Sequence, residues 1–306
     1  MDLHQLENIL AIYEEKSITR AAEKRFITQS ALNQQMQKLE AELGTALFVR
    51  SRSNWQPTAA GEVYLKAARQ MLNLKQDAYS RIGDLAEQQR RRITVGLIPE
   101  RGIDMFTAVY PQFHKAYPQV IVEPVECNVR TSQKMISAGQ MDLGLATLAE
   151  QQKDDNIYHP MATEEIFLAV PESHPLAAQG SKYWQTAPEI DLAVFADQPF
   201  VQIYQRSTLY DLLQPLFSAL ETPPRILFST SSNVSMYRIA EAGLACALLP
   251  AIYATPDHKL MYFRLPQRPT WKITMCSRRD TYLSKAEQYY LQLCREYWAA
   301  KLPTLP

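Results

Sequence analysis

The stretch from Ser17 to Gly44 constrains the fold of this chain more than any other. Ser17 is a favoured helix N-cap residue, and the short helix after it buries Ile18, Ala21 and Ala22, with Phe26 at the end of the same face. Phe26-Ile27-Thr28 forms a turn, and Thr28 caps the next helix. In that helix Leu32, Met36, Leu39 and Leu43 make an inward stripe, and Gly44 closes it as a left-handed C-terminal residue. Two adjacent alanines remove the side-chain bulk that would hold the two helices apart. A short helix, a tight turn and a second helix at close approach describe a helix-turn-helix.

The outward face of the second helix carries Thr28, Gln29, Ser30, Asn33, Gln34, Gln37 and Lys38. An amide side chain offers a donor and an acceptor together, the pattern that matches adenine N7 and N6 in a major groove. The competing reading is an ordinary solvated helix face. Upstream, Leu3, Leu6, Ile9, Leu10 and Tyr13 give a first amphipathic helix. Downstream, residues 47–58 read as a two-stranded wing, with Arg50 and Arg52 placed to reach phosphates. A long helix follows Thr58, with apolar positions Leu65, Ala68, Leu72, Tyr79, Ile82 and Ala86 and an interruption at Lys75. Such a helix buries its stripe most simply against a second copy of itself, which nominates Leu65, Leu72, Tyr79 and Ile82 for dimerisation. Gln88 to Arg92 is the candidate hinge.

Composition narrows the function classes. With 46% hydrophobic and 21% charged residues the chain reads as globular. Its 306 residues imply more than one domain. Residues 1–92 hold 14 Lys and Arg against 11 Asp and Glu, and the remainder reverses the balance to a formal net charge of zero. That asymmetry is too weak to argue for nucleic acid, so the DNA case rests on pattern. Cys127, Cys246, Cys276 and Cys294 form no CxxC pair, and neither a metal site nor a cofactor is expected. No phosphate loop or nucleophile elbow occurs, the five histidines are scattered, and catalysis is not expected. With no signal-peptide pattern and no membrane-spanning stretch, a cytoplasmic location is expected.

From Ile93 the texture changes to strands and helices in alternation. Segments 93–98, 120–125 and 141–146 read as strands, with helices through Val109 and Phe113 and from Thr131 to Ala138 between them. Further strands at 167–171, 199–204 and 226–228 and helices from Ser207 and through Ile239 start a second α/β set. This order implies parallel α/β sheets, and two α/β lobes leave a cleft suited to a small molecule. The polar clusters after apolar strands are Pro99, Glu100 and Arg101; Asn128 to Ser132, including Thr131 and Ser132; Gln202, Gln205, Arg206 and Ser207; and Ser229 to Ser232, including Ser231. Helix N-termini there favour anions. Arg101, Arg130 and Arg206 are candidate partners for a carboxylate. Helix capping is the plainer account of the same hydroxyls.

The N-terminal text resembles the LysR-type transcriptional regulators. It carries Ser17-Ile18-Thr19-Arg20-Ala21-Ala22, Thr28-Gln29-Ser30-Ala31-Leu32, Leu39 to Phe48, and Thr58-Ala59-Ala60-Gly61-Glu62 in the family's order. Ser30, Asn33 and Gln34 depart from the family's usual proline, serine and arginine, which alters the operator read and leaves the fold intact. Glu241-Ala242-Gly243-Leu244 with Leu249-Pro250, and Val170-Pro171 with His174-Pro175, extend the resemblance to the effector domain. It implies a winged helix-turn-helix over 1–58, a linker helix and hinge over 59–92, and a two-lobed α/β effector domain of periplasmic-binding-protein type 2 over 93–306. Lobe I is expected at about 93–165 and 267–300, and lobe II at about 166–266. It also implies double-stranded operator DNA, a small-molecule effector and RNA polymerase as partners, and a homodimer or homotetramer. Two other readings stand beside this one: a regulator that needs no effector, and a redox sensor built on Cys127.

Overall fold

A computed structural model describes residues 2–50, 54–85 and 91–302. The chain divides into two compact units, Met1–Gln88 with Asp280–Ser284, and Gln89–Arg279 with Lys285–Pro306. No helix among the described residues is long and apolar enough to cross a membrane.

In the first unit α1 (Leu3–Glu15), α2 (Ile18–Lys24) and α3 (Gln29–Leu43) enclose an apolar core, followed by a two-stranded wing, β1 (Phe48–Val49) and β2 (Gln56–Pro57). Side chains of Asp2, Ser17 and Thr28 accept hydrogen bonds from the first-turn amides of the three helices, satisfying donors that have no partner inside a helix. Gly44 closes α3 at φ 68°. Ala21 and Ala22 are fully packed, which is why α2 and α3 can pass so closely. Phe26 does not join them: the turn takes φ 54° there, and its ring is 95% exposed. Leu43 also lies at the surface, one turn beyond the buried run of Leu32, Met36 and Leu39.

The long helix α4 (Ala59–Leu85) begins against this core. Gly61 is required there, because a Cβ at that position would lie 2.0 Å from the Leu47 carbonyl oxygen. Tyr64, Leu65 and Ala68 are buried in the unit's own core and Leu72 packs partly against it. Leu65 is therefore part of the domain core and is corrected from a dimerisation residue. Lys75, which breaks the apolar rhythm, pairs with Glu7 of α1 at 3.5 Å. Leu74 just before it, and Tyr79, Ile82 and Leu85 beyond it, are all more than half exposed. Ala86 and most of the expected hinge lie outside the described residues, and Arg91 and Arg92 already belong to the first strand of the second unit.

That unit is built on β3 (Arg91–Leu97), β4 (Val120–Glu126), β5 (Leu143–Leu148), β6 (Ile157–Pro171), β7 (Pro199–Ile203), β8 (Arg225–Thr230), β9 (Cys246–Pro250), β10 (Leu260–Phe263) and β11 (Thr270–Ser277). The sheet order is β4-β3-β5-β11-β6-β9-β7-β8, with β10 also paired to β6. The triplets β4-β3-β5 and β9-β7-β8 are parallel, as the alternation of strands and helices demands. The sheet as a whole is mixed, because β6, β10 and β11 run antiparallel to their neighbours. The 15-residue β6 is shared: residues up to Glu165 pair with β11, and from Ile166 onward with β9 and β10. Residues 91–165 with 270–302 thus build one lobe and 166–263 the other. Helices α5 (Arg101–Ala116), α6 (Val129–Ser137), α7 (Thr208–Ser218) and α8 (Asn233–Glu241) follow β3, β4, β7 and β8, and α9 (Lys285–Lys301) ends the described chain.

Candidate nucleic-acid interface and effector cleft

On α3, Thr28, Gln29, Ser30, Gln34, Gln37 and Lys38 are exposed on one side, with Asn33 half-buried among them. The Thr19 hydroxyl donates to the Gln29 amide oxygen at 3.3 Å, which fixes the amide and leaves its NH2 group outward. Glu40 ties the last turns of α3 to the wing: one carboxylate oxygen accepts from the backbone N–H of Leu47 at 2.7 Å, and the other pairs with Arg50. The Arg50 guanidinium also lies over the Trp55 ring, 5.4 Å from its centroid. Arg50 is therefore held at the base of the wing, while Arg52 lies outside the described residues.

Within the second unit, the starts of α5, α6, α7 and α8 converge on one cavity of about 400 Å³ between the lobes. Pro99, Glu100, Arg101, Arg206, Ser207 and Ser231 line it. Thr131, Ser132, Gln202 and Gln205 do not, and for Ser132 the reason is plain. Its side chain faces the sheet, where Cβ atoms on Gly96 or Gly144 would stand 2.7 and 2.2 Å from its hydroxyl. Those two glycines are register partners on β3 and β5, so α6 packs tightly there and Ser132 is buried against Met141. Thr131 is exposed with its backbone N–H bound to the Asn128 cap, and Gln202 and Gln205 flank the lining residues Ile203 and Tyr204.

Arg101 lines the cavity without being a free cation. It is buried, pairs with the buried Glu164 at 2.8 Å, and lies between the rings of Tyr253 and Trp271, 5.3 Å from each centroid. Burial alone would push its pKa down, and the Glu164 carboxylate more than offsets this. One guanidinium nitrogen, Nη2, is buried without a hydrogen-bond partner among the described residues. Arg130 pairs with Asp211 from the other lobe. Arg206 stands at φ 73°, exposed, with neither ion pair nor hydrogen bond among the described residues. Ser207 caps α7 through the backbone N–H of Tyr210. The sequence reading missed Trp271, which enters from β11, a strand whose alternation of large and polar residues offered the only signal.

Cys127 lines the cavity, half-buried, and burial pushes its thiol up while a hydrogen bond with Ser132 partly opposes this. Cys246, Cys276 and Cys294 are buried and pushed up to about 12 by the same loss of hydration. Burial works against the thiolate form at all four, the reverse of the electropositive setting that activates a cysteine.

Two family models match the chain: "Bacterial regulatory helix-turn-helix protein, lysR family" over residues 3–62 and "LysR substrate binding domain" over residues 86–299. The Hca operon transcriptional activator HcaR of Escherichia coli (strain K12) is 26% identical over 82% of each chain. A full-length point variant of OxyR from Pseudomonas aeruginosa superposes with a TM-score of 0.72 at 22% identity, covering 98% of this chain and 95% of that one. CbnR, solved as a full-length complex with its target DNA, has a TM-score of 0.56 at 20% identity over 97% and 99% of the two chains. These relatives are regulators and not enzymes. The chain belongs to the LysR family, as a DNA-binding transcriptional regulator with a winged helix-turn-helix and an effector-binding domain.

Proposed function

We propose that the chain binds a double-stranded operator through the outward face of α3, and that a small anionic metabolite in the interlobe cleft sets its activity. The observation that carries the effector reading is the convergence of four helix N-termini on one cavity of about 400 Å³, with Arg206 uncommitted at its edge. Free first-turn N–H groups and the helix dipole favour an anion, and the α7 start beside Arg206 and Ser207 is the open station. A ligand touching both lobes biases their relative arrangement by no more than its differential affinity, typically about 1–3 kcal/mol. The exposed second half of α4 pairs two copies into a dimer, so that two α3 helices meet two half-sites. The regulator acts in the cytoplasm and affects transcription through RNA polymerase.

The test is a thermal-shift screen of metabolites on the full chain, followed by calorimetry of any hit. Arg206→Ala is expected to weaken that hit at least tenfold, and operator DNA is expected to change its affinity by the same factor as the hit changes operator affinity. A screen with no hit favours a regulator that acts by DNA binding alone. A hit indifferent to Arg206 moves the site elsewhere.

A further inference from the structure

Of the four helix starts at the cleft, that of α8 already has an anion. Glu100 stands at the N-cap position of α5, yet its carboxylate does not serve its own helix. It crosses to the other lobe, where Oε1 accepts from the Ser232 hydroxyl and from the Val234 backbone N–H at 3.4 Å. Its second oxygen, Oε2, accepts from the Tyr253 hydroxyl at 2.8 Å. Ser232 is the N-cap of α8, and its oxygen accepts from the Ser235 N–H at 3.0 Å. Glu100 thereby completes the first turn of a helix in the opposite lobe. Its backbone takes φ 65° and ψ −92°, a conformation that L side chains rarely adopt and that persists only where the surroundings impose it.

We propose that the Glu100 carboxylate is a resident anion that fills the α8 end of the cleft and latches the two lobes, so that the effector is a polar molecule with at most one anionic group. This rests on the reading of the cleft as the effector site. A second carboxylate at α8 would have to expel Glu100 or stand against a like charge in a cavity poor in free cations. The ligand's own anionic group is directed to α7 and Arg206.

The latch is testable without an effector, on the full chain, with acetate as the probe. Removing the carboxylate in Glu100→Ala leaves the Val234 amide without its acceptor, and its hydrogen exchange is expected to rise about tenfold or more. Acetate at matched ionic strength is expected to reverse that rise and to raise the melting temperature of Glu100→Ala saturably, while wild type ignores it. Glu100→Gln keeps the shape and fills the space, so it is expected to speed exchange severalfold without answering to acetate. Unchanged exchange in both variants, or an acetate response equal in wild type and Glu100→Ala, overturns the proposal. If acetate fills Glu100→Ala but no metabolite binds wild type, the latch stands and the effector reading fails. A dicarboxylate effector that binds wild type more tightly than its monocarboxylate analogue overturns the ligand class.

Discussion

Arg101 and Glu164 meet at 2.8 Å with side chains only 3% and 0% exposed, and the pair joins the start of α5 to the middle of β6. The same carboxylate accepts from the Trp271 indole N–H at 2.7 Å and from the Ile252 backbone N–H at 2.9 Å. Glu164 thus binds elements of both lobes beside the point where β6 changes partners. Breaking a buried pair strands the surviving charge in a poorly hydrated place. Glu164→Gln or Arg101→Met is expected to destabilise by about 3–5 kcal/mol, and the double substitution by less than the sum. Denaturant unfolding of the three variants checks this; additive losses would mean that the groups are not coupled.

Glu7 gives the N-terminal unit a pH dependence. It pairs with Arg25 at 2.6 Å and with Lys75 at 3.5 Å. Partial burial pushes its carboxyl up, but these two cations prevail and hold it below the usual 4.5. A depressed carboxylate contributes stability above its unfolded pKa and loses it as pH falls through the folded value. Glu7→Gln is expected to cost about 1 kcal/mol at pH 7. Thermal unfolding from pH 7 downward is expected to show this difference shrinking only below about pH 4.5.

The α3 face separates base reading from backbone contact. Gln29→Ala and Asn33→Ala are each expected to cost about 1–3 kcal/mol on operator DNA and to relax specificity. Lys38→Ala is expected to weaken all sequences alike and to lower the salt slope by about 0.9 if it meets one phosphate. Thr19→Val, which releases the Gln29 amide, is expected to reduce specificity without altering the salt slope. Binding isotherms over a salt series distinguish the classes.

The two halves of α4 are expected to respond differently to charge. Tyr79→Glu with Ile82→Glu falls on the exposed half and is expected to yield folded monomers by light scattering. Leu65→Glu falls in the domain core and is expected to unfold the N-terminal unit, a loss above about 3 kcal/mol. A folded monomer from Leu65→Glu would return that residue to the interface.

The local features of the fold were legible in the sequence because their causes are local. Ser17, Thr28 and Gly44 mark helix ends by their own hydrogen bonds or φ, and the leucine and alanine spacings give the inward faces directly. The parallel triplets followed from the alternation of strands and helices. The shared strand β6 did not, because its Thr163-Glu164-Glu165 centre looks like loop until Arg101, Arg264 and Trp271 are brought to it.

The candidate site divides along the same line. That polar clusters follow β3, β4, β7 and β8 is a matter of sequence, and it brought Pro99, Glu100, Arg206, Ser207 and Ser231 to the cleft. Which side of a helix start faces the cavity is a matter of packing. Ser132 turned to the sheet because two glycines, 48 residues apart, left room for it there. Arg101 lost its free charge to a residue 63 positions away, and Glu100 capped a helix 132 positions away. Residue type and spacing determined which groups stand at the helix starts. Only tertiary structure decided which of their charges remain free, because a partner from a distant strand or helix neutralises a charge without leaving a mark in the local sequence.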